Sequence, residues 1–140
     1  MLTQAFTETL DSRGDLCQIM TDTTGTSLIV ENGRVIGVNA TGKDGSAVTL
    51  TAGKGVIVAT GGFAGNAEMR VRYCQGEKRP DLGASLITSN MPGVTGDGIR
   101  MCRDAGANLV DMEQIQLLPV CNPTTGSTSD HYNCLRRSGV

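Results

Sequence analysis

The sequence predicts an α/β fold that contains a three-stranded antiparallel β-meander, and three observations predict it. Apolar residues recur at helical spacing at the start of the chain and again near residue 100. Runs rich in Val, Ile and Thr are separated by Asn32-Gly33 and Asp44-Gly45, dipeptides that favour tight hairpin turns. Residues 55–59 are apolar without interruption, as expected of a strand that is covered on both faces within a parallel sheet.

The first half of the chain is predicted to hold one helix and four strands before the apolar run. Leu2, Ala5, Phe6 and Leu10 share one face of a helix, and Gly14 is expected to cap its end in the left-handed conformation. The β-type runs that follow are residues 17–21, 27–31, 34–40 and 47–52. The last three form the meander, from about residue 27 to residue 52.

The second half alternates short helices with loops. A helix is predicted over 66–73 with Asn66 as its N-cap, and a long surface loop follows over 76–96. A second helix is predicted from 98 to 105, with Asp97 at its start and Gly106 as its stop. Residues 108–112 are predicted to form a strand and 114–120 an extended segment.

Composition excludes several classes of partner. Twelve basic and fourteen acidic residues give a net charge of −2, which offers no field for a phosphate backbone. Two tyrosines, two phenylalanines and no tryptophan leave no platform for stacking bases. No apolar run approaches the roughly 20 residues that span a bilayer. We therefore predict no nucleic-acid partner and no membrane segment.

The five cysteines are widely spaced and contain no C-x-x-C pair, which indicates free, reduced thiols. Cys121, His131 and Cys134 share a polar stretch but lack the spacing of usual metal sites, so we predict no metal site. We expect a cytoplasmic protein, with an exported or membrane-peripheral parent as the alternative.

Thr60, Gly61 and Gly62 directly follow the apolar run. Ligands of open α/β sheets bind at the carboxyl ends of strands, where glycines allow a cofactor to approach the backbone closely. The sequence therefore suggests a nucleotide site at this turn. The competing interpretation is an ordinary tight turn between strand and helix.

Gly96, Asp97 and Gly98 form a second candidate site at the start of a predicted helix. The carboxylate of Asp97 would repel a phosphate but could accept hydrogen bonds from the hydroxyls of a ribityl or ribose chain. The alternative is that Asp97 acts only as an N-cap. Gly-x-Gly-x-x-Gly, Walker and Gly-x-Ser-x-Gly motifs are absent. We assign no catalytic residue, and His131 is expected to be solvated.

The chain resembles the FAD-binding family that includes fumarate reductase flavoproteins, soluble flavocytochrome c, urocanate reductase and ketosteroid dehydrogenases. The motifs that carry the resemblance are residues 34–38, 55–63, 95–98, 106–107 and 115–116. It implies that residues 1–113 are the central part of a Rossmann-like FAD-binding domain and that 114–140 begin a truncated capping, substrate-binding domain. It further implies that Gly25 lies in the strand before the meander and offers backbone to adenine. Thr60, Gly61, Gly62, Gly96, Asp97 and Gly98 would line FAD.

The implied function is that of a fragment of a fumarate reductase-like oxidoreductase that reduces or forms an activated C=C bond. Relatives that reduce fumarate carry a carboxylate-binding histidine where this sequence has Leu118, so fumarate is a doubtful substrate. The fragment alone is expected to be inactive and to self-associate through uncovered apolar surface. The alternative is a non-enzymatic or regulatory nucleotide-binding α+β module.

Overall fold

The computed structural model describes residues 2–14, 16–73, 83–117, 121–122 and 124–126. Within these ranges a helix is followed by a three-stranded sheet and two further helices. The elements are α1 (Leu2–Asp11), β1 (Thr23–Glu31), β2 (Arg34–Gly42), β3 (Ala47–Thr51), α2 (Ala67–Tyr73) and α3 (Asp97–Asp104).

The sheet is the predicted antiparallel meander, in the order β1-β2-β3. Asn32 and Gly33 both have positive φ angles, 50° and 75°, as a two-residue hairpin of the predicted kind requires. The meander begins at Thr23 rather than near residue 27. Gly25 therefore lies inside β1, opposite Ala40 of β2, and its assignment to a strand before the meander was wrong.

The second hairpin turn is organised by the Asp44 carboxylate. Asp44 Oδ1 accepts a hydrogen bond from the backbone N–H of Ser46 at 3.0 Å. Hydrogen bonds from the side chain and the backbone of Ser46 hold the pKa of Asp44 below its usual value. Gly45 supplies the positive φ of 82° that this turn needs.

The helix boundaries agree with most of the predicted caps. Asn66 Oδ1 accepts a hydrogen bond from the N–H of Met69 at 3.0 Å, which confirms it as the N-cap of α2. Gly106 follows α3 with a φ of 93°, and its N–H donates to the carbonyl of Arg103. Gly14 is not among the glycines with positive φ, so the left-handed cap predicted for α1 was wrong.

Three segments predicted to be strands do not form strands: residues 17–21, 55–59 and 108–112. A strand is stabilised by hydrogen bonds to a neighbouring strand, and none of these runs pairs with one among the described residues. Ile57 is 94% exposed and Val110 is 68% exposed. Residues 55–59 have the apolar composition of a buried strand, but no strand of the described part of the chain pairs with them.

The core is small and lies where α3 packs against β1. Ala40, Met69 and Met101 are its buried apolar side chains, each less than 9% exposed. The Met101 methyl group lies near Gly25, 3.8 Å from the position that a Cβ would take there. Among the described helices, none has the length and apolarity needed to cross a bilayer.

Candidate functional site

The two glycine segments that the sequence singles out lie against each other. We call residues 60–65 the glycine turn and residues 96–98 the helix start. A Cβ built on Gly98 would overlap the Oγ1 of Thr60 and would lie 2.6 Å from Cγ1 of Val58. Only glycine therefore allows α3 to begin this close to the end of the apolar run.

The other glycines of the glycine turn and the helix start have different surroundings. Gly61 has a φ of 77°, and a Cβ there would lie 3.5 Å from the Val94 side chain. Gly96 has a φ of 84° and is enclosed, with Met69 Sδ at 2.5 Å and Phe63 Cβ at 2.9 Å from its Cβ position. Gly62 is exposed, and no atom of the described residues lies within 4 Å of its Cβ position. Gly62 is thus the point of the turn with free space beside it.

A cavity of about 400 Å³ joins the helix start to β1. Its lining residues include Thr24, Gly25, Thr26, Asp97, Arg100 and Asp104. Two site residues predicted from distant parts of the sequence, Gly25 and Asp97, therefore face the same space. Thr60, Gly61 and Gly62 do not line this cavity. Thr60 contacts Gly98, which directly follows the lining residue Asp97 in the chain.

Asp97 is the first residue of α3 and not its N-cap, because Gly96 occupies the cap position without a side-chain cap. The hydroxyl of Thr95 donates to Asp97 Oδ2 at 2.6 Å, and Arg100 pairs with Oδ1. The ion pair is exposed on both sides and so contributes little stability. A carboxylate has about four acceptor positions. Asp97 therefore retains capacity for hydroxyl groups of a ligand in the cavity.

Two hydrogen bonds connect the glycine turn and the adjacent Asn66 to the loop that precedes the helix start. The N–H of Gly65 donates to the Val94 carbonyl at 2.7 Å. Asn66 Nδ2 donates to the Thr95 carbonyl at 3.0 Å, while its Oδ1 caps α2. The sequence predicted the cap but not this bridge, because nothing local indicates where an asparagine amide group will reach.

A smaller cavity, of about 130 Å³, lies beside α2. Its lining includes Ala64, Arg70, Leu86, Thr88, Gln116 and Cys121. Leu118, which replaces the histidine of fumarate-reducing relatives, lies outside the described residues, as do His131 and Cys134. In the described ranges no three His, Cys, Asp or Glu side chains come close enough to hold a metal ion.

A glycine-lined contact between the end of an apolar run and a helix start, next to a cavity with a carboxylate and hydroxyls, is typical of a nucleotide-cofactor site. A family described as FAD binding domain matches residues 1–137, and the chain belongs to this family. The cofactor predicted from the sequence, FAD, is confirmed by this membership.

The chain is similar to several named flavoproteins. It is 40% identical over 110 residues to NADH:acrylate oxidoreductase of Vibrio harveyi and 36% identical over 96 residues to urocanate reductase of Eggerthella lenta. These matches cover 79% and 69% of the chain but only 11% and 15% of the two relatives.

Among solved structures, the open conformation of a flavocytochrome c3 fumarate reductase superposes with a TM-score of 0.64 at 28% identity. That match covers 76% of this chain and 18% of the solved chain. The predicted resemblance to fumarate reductase flavoproteins is thereby confirmed. So is the broad fold prediction, a segment of an FAD-binding domain with a three-stranded antiparallel sheet.

The described residues fit a flavin dinucleotide. Gly62 leaves space for close approach to the backbone, and Asp97, Thr24 and Thr26 offer oxygen atoms to sugar hydroxyls. No basic cluster for the diphosphate is present among the lining residues of the larger cavity, where Arg100 is already paired with Asp97. The site therefore suits the sugar and ring portions of the cofactor better than its phosphates.

Proposed function

We propose that this chain forms one side of the FAD site of a flavin-dependent oxidoreductase that reduces or forms an activated C=C bond. The observation that carries the proposal is the contact of Thr60 with Gly98 beside the cavity shared by Gly25 and Asp97. Residues 1–113 belong to a Rossmann-like FAD-binding domain in this proposal, and 114–140 begin the substrate-binding domain. The relatives named above, an acrylate and a urocanate reductase, support the reaction class.

Each site residue has a proposed role in holding the cofactor. The backbone of Gly25 faces adenine, and Asp97 accepts hydrogen bonds from sugar hydroxyls. Thr60, Gly61 and Gly62 line the cofactor at the end of the apolar run, and Gly96 and Gly98 bring the helix start close to it. When bound, FAD supplies the hydride chemistry, and the protein supplies orientation and electrostatics.

Substitution of Gly62 tests direct contact with the cofactor. A valine at this position meets open space in the described chain, so folding should be unaffected while a ligand at the turn is blocked. We expect Gly62→Val to lower FAD affinity about a hundredfold, a loss of roughly 2.7 kcal/mol. Flavin content and FAD titration of the complete gene product measure this change, with thermal unfolding as the check on folding.

Gly53→Val is the matched control, because no described atom lies within 4 Å of its Cβ position either. Gly53 follows β3 and is outside the proposed site, so this variant should retain the FAD affinity of the wild type. Equal flavin binding by wild type, Gly62→Val and Gly53→Val would contradict a cofactor at the glycine turn.

The proposed substrate is a small molecule with an activated double bond other than fumarate. An isobutyl side chain at Leu118 cannot donate a hydrogen bond to a carboxylate. We expect turnover on a panel of α,β-unsaturated acids to favour a compound that lacks the second carboxylate. Leu118→His should raise the activity with fumarate relative to the preferred compound. Efficient fumarate reduction by the wild type would contradict this assignment.

A further inference from the structure

Arg70 is a charged side chain that was not among the site residues predicted from the sequence. It lies on α2, four residues after the N-cap Asn66, and only 6% of its surface is exposed. Burial of a guanidinium group is costly unless its N–H groups find acceptors. The partners of this side chain therefore indicate what it does.

The described partners of Arg70 are main-chain carbonyl oxygens of two separate segments. Nη1 donates to the carbonyl of Ala64, in the glycine turn, at 2.7 Å. Nη2 donates to the carbonyl of Leu86 at 2.8 Å and to that of Ala84 at 3.4 Å. One planar group thus links the glycine turn to the beginning of the loop over residues 83–96. We call residues 83–96 the connecting loop.

The other end of the connecting loop is attached to the glycine turn and to the N-cap residue of α2. The carbonyl of Val94 accepts from Gly65, and that of Thr95 accepts from Asn66. Asn66 and Arg70 are four residues apart, so they project from the same side of α2. The amide of Asn66 fixes the end of the loop next to the helix start, and Arg70 fixes the end remote from it.

We propose that Arg70 is a positioning residue for the FAD site, an inference that rests on the proposed function. It acts through the connecting loop, which leads directly into Gly96, Asp97 and Gly98. A binding site needs its groups held to within about 0.5 Å, and a loop held at one end alone has more freedom than that. Leu86 and Thr88 of the connecting loop also line the 130 Å³ cavity, together with Gln116. The position of the loop therefore also affects the cavity wall that residues 115–117 form.

The test compares Arg70→Met with Arg72→Met in the complete gene product. Arg72 is an exposed arginine of the same helix, and its guanidinium lies 5.8 Å from the Tyr73 ring centroid. We expect Arg70→Met to speed amide hydrogen exchange in residues 83–90 and to raise the FAD dissociation constant about tenfold. The absorption spectrum of bound flavin should also change, and Arg72→Met should alter none of these properties.

Arg70→Lys is the second variant, and it keeps the assay decisive if Arg70→Met fails to fold. A single ammonium group keeps the charge but cannot reproduce the planar fork that reaches both segments. Arg70→Lys should therefore show the changes in hydrogen exchange, FAD affinity and flavin spectrum that are expected of Arg70→Met, to a smaller degree.

Unchanged exchange in residues 83–90 would overturn the role of Arg70 in holding the loop. Faster exchange with unchanged FAD affinity and spectrum would mean a purely structural role and would overturn the positioning role. A wild type that binds no FAD would overturn the proposed function instead, while the exchange comparison would still decide whether Arg70 holds the loop.

Discussion

Replacement of Gly98 by alanine is expected to push the helix start away from the glycine turn and to destabilise the protein by about 1–3 kcal/mol, the usual cost of overpacking. Gly98 is buried, and its added methyl group would overlap Thr60 Oγ1 and lie 2.6 Å from Val58 Cγ1. Because both neighbours belong to the segment that enters the glycine turn, the clash should also displace the predicted FAD-lining residues. Denaturant unfolding and FAD titration measure the two effects.

A matched substitution separates the contact from the general effect of adding a methyl group. A Cβ on Gly55 meets nothing within 4 Å among the described residues, so Gly55→Ala should be nearly neutral. In a Thr60→Ala background the overlapping hydroxyl is absent, and Gly98→Ala should cost less than it does in the wild type. An equal cost in both backgrounds would show that Thr60 and Gly98 do not touch.

The features that the sequence predicted well are those set by neighbouring residues. Asn32-Gly33 forms its turn because both residues tolerate positive φ, and Asn66 caps α2 because its side chain reaches a backbone N–H three residues on. Gly106 ends α3 for a similar local reason. Such features depend little on the rest of the fold.

The incorrect strand predictions concern residues whose structure depends on distant partners. Residues 55–59 have the composition of a buried strand, but composition does not supply the neighbouring strand that would pair with them. Ile57 is 94% exposed, whereas a strand covered on both faces would bury this side chain. The same reasoning applies to 17–21 and 108–112, which also lack a paired neighbour among the described residues.

The candidate site was predictable in part. Residues 60–62 and 96–98 were selected separately, for their glycines and for Asp97, and the structure brings these two groups into contact. Arg70 was not selected, because its role depends on carbonyl groups 14 and 16 residues further along the chain. A polar residue four positions after a predicted N-cap, on the same helix face, would have been the only local signal.

Substitution of Asn66 should distinguish capping of α2 from attachment of the connecting loop. Asn66→Asp keeps an oxygen that accepts from the N–H of Met69, but it loses the Nδ2 group that donates to Thr95 and places a carboxylate oxygen near that carbonyl. We expect this variant to retain α2 and to bind FAD about tenfold more weakly, since the loop before the helix start is released.

Asn66→Ala removes both interactions, at about 1 kcal/mol for the lost cap and about 1 kcal/mol for the lost hydrogen bond. It should be less stable than Asn66→Asp and should bind FAD at least as weakly. Asn108→Asp, an exposed change in the segment after α3, serves as the control for added negative charge. If Asn66→Asp binds FAD as tightly as Asn108→Asp does, the amide bridge to Thr95 does not hold the helix start in place. The position of Gly96, Asp97 and Gly98 is then set by other contacts, such as those with Thr60, Phe63 and Met69.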